Sequence, residues 1–86
     1  MAPSNSHKHS MTRANLEAKR HGNKYMLYIT NRTHGSVLSP EYAPDRHTAD
    51  ARKAALARVG LSVKIFLITG DGGVIDADAR HEAHRA

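Results

Sequence analysis

The chain has 86 residues, no cysteine, 40% hydrophobic residues and a formal charge of +5 at neutral pH. This length predicts one small domain, and the lack of cysteine excludes disulfides, thiolate metal sites and a nucleophilic Cys. No apolar run approaches the roughly 20 residues that span a bilayer, and the first ten residues lack the apolar segment of a secretory signal, so a cytoplasmic protein without membrane contact is expected.

The basic residues are concentrated at the N-terminus. Residues 1–24 hold five Lys or Arg side chains against Glu17 alone, whereas residues 25–86 hold eight basic and seven acidic side chains. This asymmetry predicts a flexible basic arm over residues 1–23 that attracts an anionic partner such as nucleic acid. A solvated tail that only improves solubility is the alternative interpretation.

Within this arm, the polar residues 1–9 are expected to be disordered. A short helix is predicted to follow, because Ser10 is a suitable N-cap and Gly22 stands where a glycine commonly ends a helix. Its apolar face is thin, and an isolated helix of about three turns is marginal in water. We therefore expect this helix to dock on the domain or on a partner.

The domain itself is predicted over residues 24–79, with residues 80–86 as a frayed tail. Alternating apolar residues in YMLYIT, residues 25–30, predict a first strand, and residues 31–35 predict a hairpin loop. SVLS, residues 36–39, predicts a second strand that ends at Pro40, because proline cannot donate to a ladder. The segment PEYAPD that follows predicts a loop.

The principal helix is predicted over residues 47–59, with Asp45 or Thr48 as N-cap and Gly60 as its stop. The side chains expected to share its sheet-facing side are Ala51, Ala55, Leu56 and Val59.

SVKIFLIT, which follows this helix, predicts the third strand. Val63, Ile65 and Leu67 lie on one face, and Phe66 and Ile68 lie on the other. A strand that is apolar on both faces is usually covered on both sides. Because the principal helix covers one side only, Phe66 and Ile68 are expected to lie under the N-terminal helix or to form an interaction surface, for example in a homodimer.

The segment from Gly73 to Asp78 resembles the signature of the LAGLIDADG homing endonucleases, in which such a run ends a helix and supplies a metal-binding carboxylate. In that family the motif precedes the strands that hold DNA, whereas eight residues follow Asp78 here, and the final glycine of the motif is Ala79. Asp71 and the glycines around it stand between two apolar runs, which is typical of a hairpin turn. We therefore predict a turn and a fourth strand starting at Val74, and assign the chain to no family.

Candidate metal ligands are two histidine pairs, at positions 7 and 9 and positions 81 and 84. Each pair has the spacing of a weak Zn or Ni site, but a closed structural zinc site needs four ligands. The carboxylates Asp71, Asp76 and Asp78 do not have the spacing of an EF-hand loop and are expected on the surface. No metal and no cofactor are predicted.

The sequence contains no Ser-His-Asp elbow motif and no phosphate-binding loop, so a non-enzymatic role is predicted. Phosphate contacts without sequence reading give weakly sequence-specific binding, and an accessory protein that binds nucleic acid in this way is the expected function. The residues predicted to make these contacts are Arg13, Lys19, Arg20, Lys24 and Arg32. The alternative is a protein-interaction module: a dimeric adaptor, or a small phage- or plasmid-type inhibitor that occludes another protein's functional surface.

Together these segments predict an α+β domain with the order ββαββ. Its four-stranded, mainly antiparallel sheet is expected to carry one principal helix, and a basic arm or short helix is expected to precede it.

Overall fold

A computed structural model of the protein describes residues 3–78, and side chains from residue 12 onward. The elements follow one another as α1 (Pro3–Arg20), β1 (Tyr25–Asn31), β2 (Glu41–Ala43), α2 (Arg46–Ala57), β3 (Leu61–Ile68) and β4 (Val74–Asp76). The predicted small α+β fold is confirmed in this coarse form. The expected ββαββ order is incomplete, because the 18-residue helix α1 precedes the first strand.

The four strands form one sheet in the order β2-β1-β3-β4, and every neighbouring pair is antiparallel. The two central strands pair over seven residues, from Tyr25 opposite Leu67 to Asn31 opposite Leu61. Residues opposite one another in an antiparallel pair share a face, so this register fixes the composition of both faces. The predicted four-stranded antiparallel sheet is confirmed.

The face of the sheet that packs on α2, here called the α2 face, contains the main core. Leu27 lies opposite Ile65, and Ile29 lies opposite Val63. These four side chains are buried together with Ala49 and Leu56 of α2 and Ala43 of β2. Full burial of each large aliphatic side chain contributes about 1.5–3 kcal/mol, so this face provides most of the hydrophobic stabilisation.

The opposite face, here called the α1 face, is defined by the register that places Met26, Tyr28, Lys64, Phe66 and Ile68 on it. Met26 and Ile68 are only 1% and 2% exposed, although they lie outside the α2 cluster. Helix α1 provides their cover at one end of this face, where its own buried residues include Ala18. Ile68 is thus covered by α1 of the same chain.

Helix α1 ends as the sequence predicted. Gly22 has a φ of 94°, in the left-handed region that favours glycine. The N–H of Asn23 donates to the carbonyl of Ala18, and that of Gly22 to the carbonyl of Lys19, which is the Schellman arrangement. The helix begins at Pro3 and not at Ser10, so it includes most of the segment expected to be disordered. The flexible arm and the frayed tail stay predictions, and residues 79–86 lie outside the described residues.

The second strand is not where the sequence placed it. It spans Glu41–Ala43, in the segment predicted to be a loop, and Val37 of the predicted strand forms only an isolated bridge with Thr30. The physical reason is tertiary. Tyr42 and Ala43 pack across the sheet opposite Met26 and Tyr25, whereas Val37 is 57% exposed.

Helix α2 begins one residue earlier than predicted, and of the two predicted N-caps, Asp45 and Thr48, it is Asp45 that caps the helix. The Asp45 carboxylate accepts a hydrogen bond of 2.7 Å from the N–H of Thr48. The sheet-facing side is different from the prediction, because the buried residues are Ala49 and Leu56 while Ala51 and Ala55 are exposed. Val59 is 72% exposed, since the helix ends at Ala57 and leaves it in the following turn.

The segment that resembles an endonuclease motif forms a turn and a strand. The N–H of Thr69 donates to the carbonyl of Gly73 at 2.8 Å, and Gly72 adopts a φ of 89°. The Asp71 carboxylate accepts the N–H of Gly73 at 3.1 Å and a hydrogen bond from the Thr69 hydroxyl, which fixes the turn. Val74–Asp76 then pairs with β3, so the predicted hairpin is present. No helix in the described part of the chain is long and apolar enough to cross a bilayer.

Candidate nucleic-acid interface

Helix α1 is held on the sheet by one buried amide. Asn15 is 3% exposed, and its Nδ2 donates to the carbonyl of Gly72 at 2.9 Å. Its Oδ1 accepts a hydrogen bond of 2.8 Å from the Tyr42 hydroxyl. One side chain therefore ties α1 to the edge strand β2 and to the β3–β4 turn. Partial burial raises the pKa of the Tyr42 hydroxyl, so this group stays a donor over the physiological range.

The contact between α1 and the β3–β4 turn is close enough to require glycine. A Cβ at position 72 would lie 2.7 Å from Cγ2 of Thr12 and 2.8 Å from Cγ of Leu16. The positive φ of Gly72 disfavours any larger residue independently of this clash. The position of α1, and hence of the cations that it carries, is fixed by this contact and by Asn15.

The carboxylates of the sheet and α2 are engaged within the domain. Residues 25–78 hold six basic and six acidic side chains. Asp45 caps α2, and the hydrogen bond from the Thr48 N–H lowers the pKa of its carboxyl. Asp71 caps the turn, and the hydrogen bonds from the Thr69 hydroxyl and the Gly73 N–H lower the pKa of its carboxyl. The remaining carboxylates form ion pairs, which are Arg46 with Asp50 and Asp78, Arg52 with Glu41, and Lys64 with Asp76.

The basic residues of α1 and of its junction with β1 are paired far less. Within residues 12–78, no carboxylate lies within ion-pair distance of Arg13, Lys19 or Lys24. Arg20 pairs with Glu17 at 3.4 Å, and both side chains are more than half exposed. Such a pair contributes at most about 1 kcal/mol, so the guanidinium can exchange Glu17 for a phosphate at small cost.

The structure divides these cations between two sides of α1. Arg13 and Arg20 are exposed on the side turned away from Asn15. Lys19 lies closer to the sheet, where its Nζ donates to the carbonyl of Ile68 at 3.3 Å. Lys19 and Lys24 also line a cleft of about 280 Å³, whose other lining residues are Gly22, Leu67 and Ile68.

Arg32 does not join this group. Its N–H donates to the carbonyl of Gly60 at 3.2 Å, which extends the β1–β3 pairing by one residue beyond the strand. Eight residues separate Lys24 from Arg32, which at strand spacing is roughly 26 Å. Four of the five predicted phosphate contacts therefore lie at one end of the molecule, and the fifth lies at the other end.

The two residues predicted as an interaction surface have different environments. Ile68 is buried under α1, whereas Phe66 is half-buried. The Phe66 ring meets Tyr28 edge-to-face, with centroids 6.4 Å apart and planes at 89°. The Lys64 ammonium lies 6.0 Å from the Phe66 centroid. The accessible part of the predicted surface is thus Phe66 with two neighbours that the sequence reasoning did not select.

The positions of Tyr28 and Lys64 along their strands indicate in the sequence that they can share a face with Phe66. Tyr28 has the same parity as Met26 along β1, and Lys64 has the same parity as Phe66 along β3. A registered pairing of the two strands would have placed all four on one face, but the register was not known before the structure. Asn15 and Tyr42 carried no such signal, because their contact joins segments that are not neighbours in sequence.

No metal-binding constellation is assembled in the part of the chain that the structure describes. No group of three or more His, Asp or Glu side chains is placed to hold a metal ion there. Glu41 is bound by Arg52 through two hydrogen bonds of 2.7 and 3.0 Å, which lower the pKa of the carboxyl. The carboxylate is therefore held as an ion-pair partner.

No protein-family model matches this chain, and no curated protein or solved structure is significantly similar to it. We therefore infer the function from the charges and surfaces of the chain itself.

Proposed function

We propose that this chain is a small, non-enzymatic accessory protein that binds nucleic acid through phosphate contacts. The single observation that carries the proposal is the cluster of four basic side chains at one end of the molecule, where residues 12–24 hold Arg13, Lys19, Arg20 and Lys24 against Glu17 alone. The carboxylates of residues 25–78 are used in ion pairs and caps, whereas Arg13, Lys19 and Lys24 form no ion pair with a carboxylate of the described residues. A polyanion is the partner that neutralises such a cluster best.

The proposed contacts differ in strength along α1. Arg13 and Arg20 project from the exposed side of the helix, where Arg13, and Arg20 in exchange for Glu17, can form bidentate contacts with a phosphate. Lys19 and Lys24 border the cleft at the end of α1 and act as point charges. Arg32 provides a further contact only to a ligand that extends along the sheet. Such contacts position nucleic acid without reading its sequence.

The experiment that tests this function measures binding at two salt concentrations. Fluorescence anisotropy of a labelled duplex and of a labelled single strand at about 50 mM and 200 mM salt gives the dependence of affinity on salt. The slope changes by about 0.9 for each phosphate contact on B-DNA and by about 0.7 on a single strand. We expect the double variant Arg13→Ala/Lys24→Ala to bind more weakly and to lower the slope by about 2.

The matched control removes two positive charges from the other side of the sheet. Lys53→Ala/Arg58→Ala changes the net charge equally, and neither residue forms an ion pair within residues 12–78. This control should retain both affinity and slope. Absence of binding at low salt, or an equal loss in both double variants, would show that the α1 cluster is not a nucleic-acid interface.

A protein-interaction module is the second candidate, and the half-buried Tyr28–Phe66 pair favours it. Aromatic side chains are enriched in the cores of protein interfaces. In this role the chain would be a dimeric adaptor or an inhibitor that covers another protein's surface. Sedimentation equilibrium of the wild type and of Phe66→Ser measures the dimer: a monomer at all concentrations removes the homodimer form of this candidate.

A further inference from the structure

Among the described residues, one part of the α1 face is left uncovered by the side chains of α1 from Thr12 onward. The helix contacts the sheet through Asn15, at Tyr42 and at the β3–β4 turn, which lie at one end of the strands. The remaining surface, here called the open half, consists of Tyr28, Thr30, Ser62, Lys64 and Phe66. Ser62 and Lys64 are exposed, and the other three are half-buried.

The open half presents aromatic rings on the two central strands of a four-stranded antiparallel sheet. Because the Tyr28 and Phe66 rings are perpendicular, the edge of one ring faces the other, and the two rings do not stack face to face. Unpaired nucleic-acid bases stack on aromatic rings of this kind on sheet surfaces, which carry about two or three bases each. Stacking tolerates any base, since every base has a π-face.

The charges at both ends of the open half match a polyanion. Lys24 immediately precedes β1, and Arg32 immediately follows it, so cations mark the two ends of the central strand. The acidic residue on this face is Asp76, opposite Phe66, and Lys64 binds its carboxylate at 2.9 Å.

We infer that the open half binds the unpaired bases of a single-stranded nucleic acid that runs along β1 and β3, with phosphates near Lys24 and Arg32. This inference rests on the proposed function and makes it more specific, because it names single strands as the preferred substrate. The hydroxyls of Thr30 and Ser62 are available to the bases or the sugars between the two ends. RNA and DNA share this chemistry, and the experiment separates them.

The test compares four ligands by anisotropy at low salt: a 5′-labelled single-stranded RNA, a single-stranded DNA of the same sequence, and the duplex of each. We expect tighter binding of single strands than of either duplex. Phe66→Leu keeps an apolar side chain but removes the stacking surface, and should weaken single-strand binding by at least about fivefold while leaving duplex binding unchanged. Tyr28→Leu should act in the same direction, and serves if the Phe66 variant does not fold.

The matched control is Tyr25→Leu, which removes an aromatic ring from the α2 face of the same strand. It should bind single strands like the wild type, with thermal unfolding used to verify that all three variants are folded. A second readout is tyrosine emission, since the chain has three Tyr and no Trp. Stacking should quench this emission with single strands and not with duplex.

The outcomes separate the inference from the proposed function. Binding of duplex and single strands with equal affinity, unchanged in Phe66→Leu and Tyr28→Leu, would overturn the inference and leave the α1 phosphate contacts in place. No binding of any ligand would overturn both. A dimer that depends on Phe66 and persists in saturating single-stranded RNA would assign the open half to protein contact.

Discussion

The two faces of the sheet are built by different means. The α2 face is sealed by apolar side chains that interlock with Ala49 and Leu56, and its largest members are at most 7% exposed. On the α1 face, the hydrogen bonds of the Asn15 amide and the contact at Gly72 hold the helix. The open half of this face is not covered by the described side chains of α1. In this molecule the first face supplies stability, and the second supplies the surface and charges for which a function is proposed.

The largest effect is expected from a cavity in the α2 face. Ile65 is 0% exposed at the centre of the core, so Ile65→Ala should lower the free energy of unfolding by about 2–5 kcal/mol. Urea denaturation followed by circular dichroism measures this change. Val59→Ala is the control, because Val59 is 72% exposed and its truncation should change stability by less than about 0.5 kcal/mol. Similar losses in both variants would contradict the division between the two faces.

The next largest effect on stability is expected at the contact between α1 and Gly72. Gly72→Ala places a methyl group against Thr12 and Leu16 and forces alanine into a positive φ, which should cost about 2–4 kcal/mol. Gly70→Ala is the matched control in the same turn, because a Cβ there meets nothing within 4 Å. Hydrogen exchange measures the local consequence. Relative to the wild type, we expect Gly72→Ala to accelerate amide exchange more in α1 than in α2. Equal acceleration in both helices would mean that α1 and the core unfold as one unit.

A smaller effect is expected from the buried amide itself. Asn15→Ala leaves the carbonyl of Gly72 and the hydroxyl of Tyr42 without their partner, at a cost of about 1–3 kcal/mol. Tyr42→Phe removes only one of the two hydrogen bonds and should cost less than Asn15→Ala. A double-mutant cycle between these positions should show coupling, measured as the difference between the double variant and the sum of the single ones. Strict additivity would show that the Asn15–Tyr42 bond contributes nothing.

The smallest effect is expected from acid. The hydrogen bond from the Thr48 N–H holds the pKa of Asp45 below its ordinary value of 3.8. Since the unfolded carboxyl binds its proton at a higher pH, this contribution is complete above about pH 5 and is lost as pH falls through the folded pKa. Asp45→Asn keeps a capping oxygen but cannot titrate, so its urea midpoint should fall less between pH 5 and pH 2.5 than that of the wild type. Parallel decreases would show that other carboxylates dominate the acid response.

The features that the sequence could predict are local ones. Asp45 as a cap, Gly22 at the end of α1 and Asp71 in the hairpin turn each depend on a few adjacent residues, whose backbone preferences are the same in any fold. The alternation of apolar residues in β1 and β3 likewise needed only the period of a strand. These elements are present in the structure at or near their predicted positions.

What the sequence could not predict depends on partners distant along the chain. The strand Glu41–Ala43 forms because β1 is available beside it, and Arg52 and Asn15 reach it from the two helices. The buried side of α2 was misjudged for the same reason, since the apolar residues of that helix allow more than one face. Of the candidate site, the cationic residues were readable from charge, but their separation into two ends followed only from the register of β1 with β3.

The contact at Gly72 has a consequence for how the sequence can change over time. Gly72 permits the β3–β4 turn and also contacts α1. Its carbonyl accepts the hydrogen bond from Asn15, a residue 57 positions earlier in the chain. A Cβ at position 72 would also lie 2.8 Å from the backbone carbonyl oxygen of Thr12, which a smaller side chain at position 12 or 16 does not remove. Homologues of this chain should therefore keep glycine at position 72 wherever this helix packs on the hairpin.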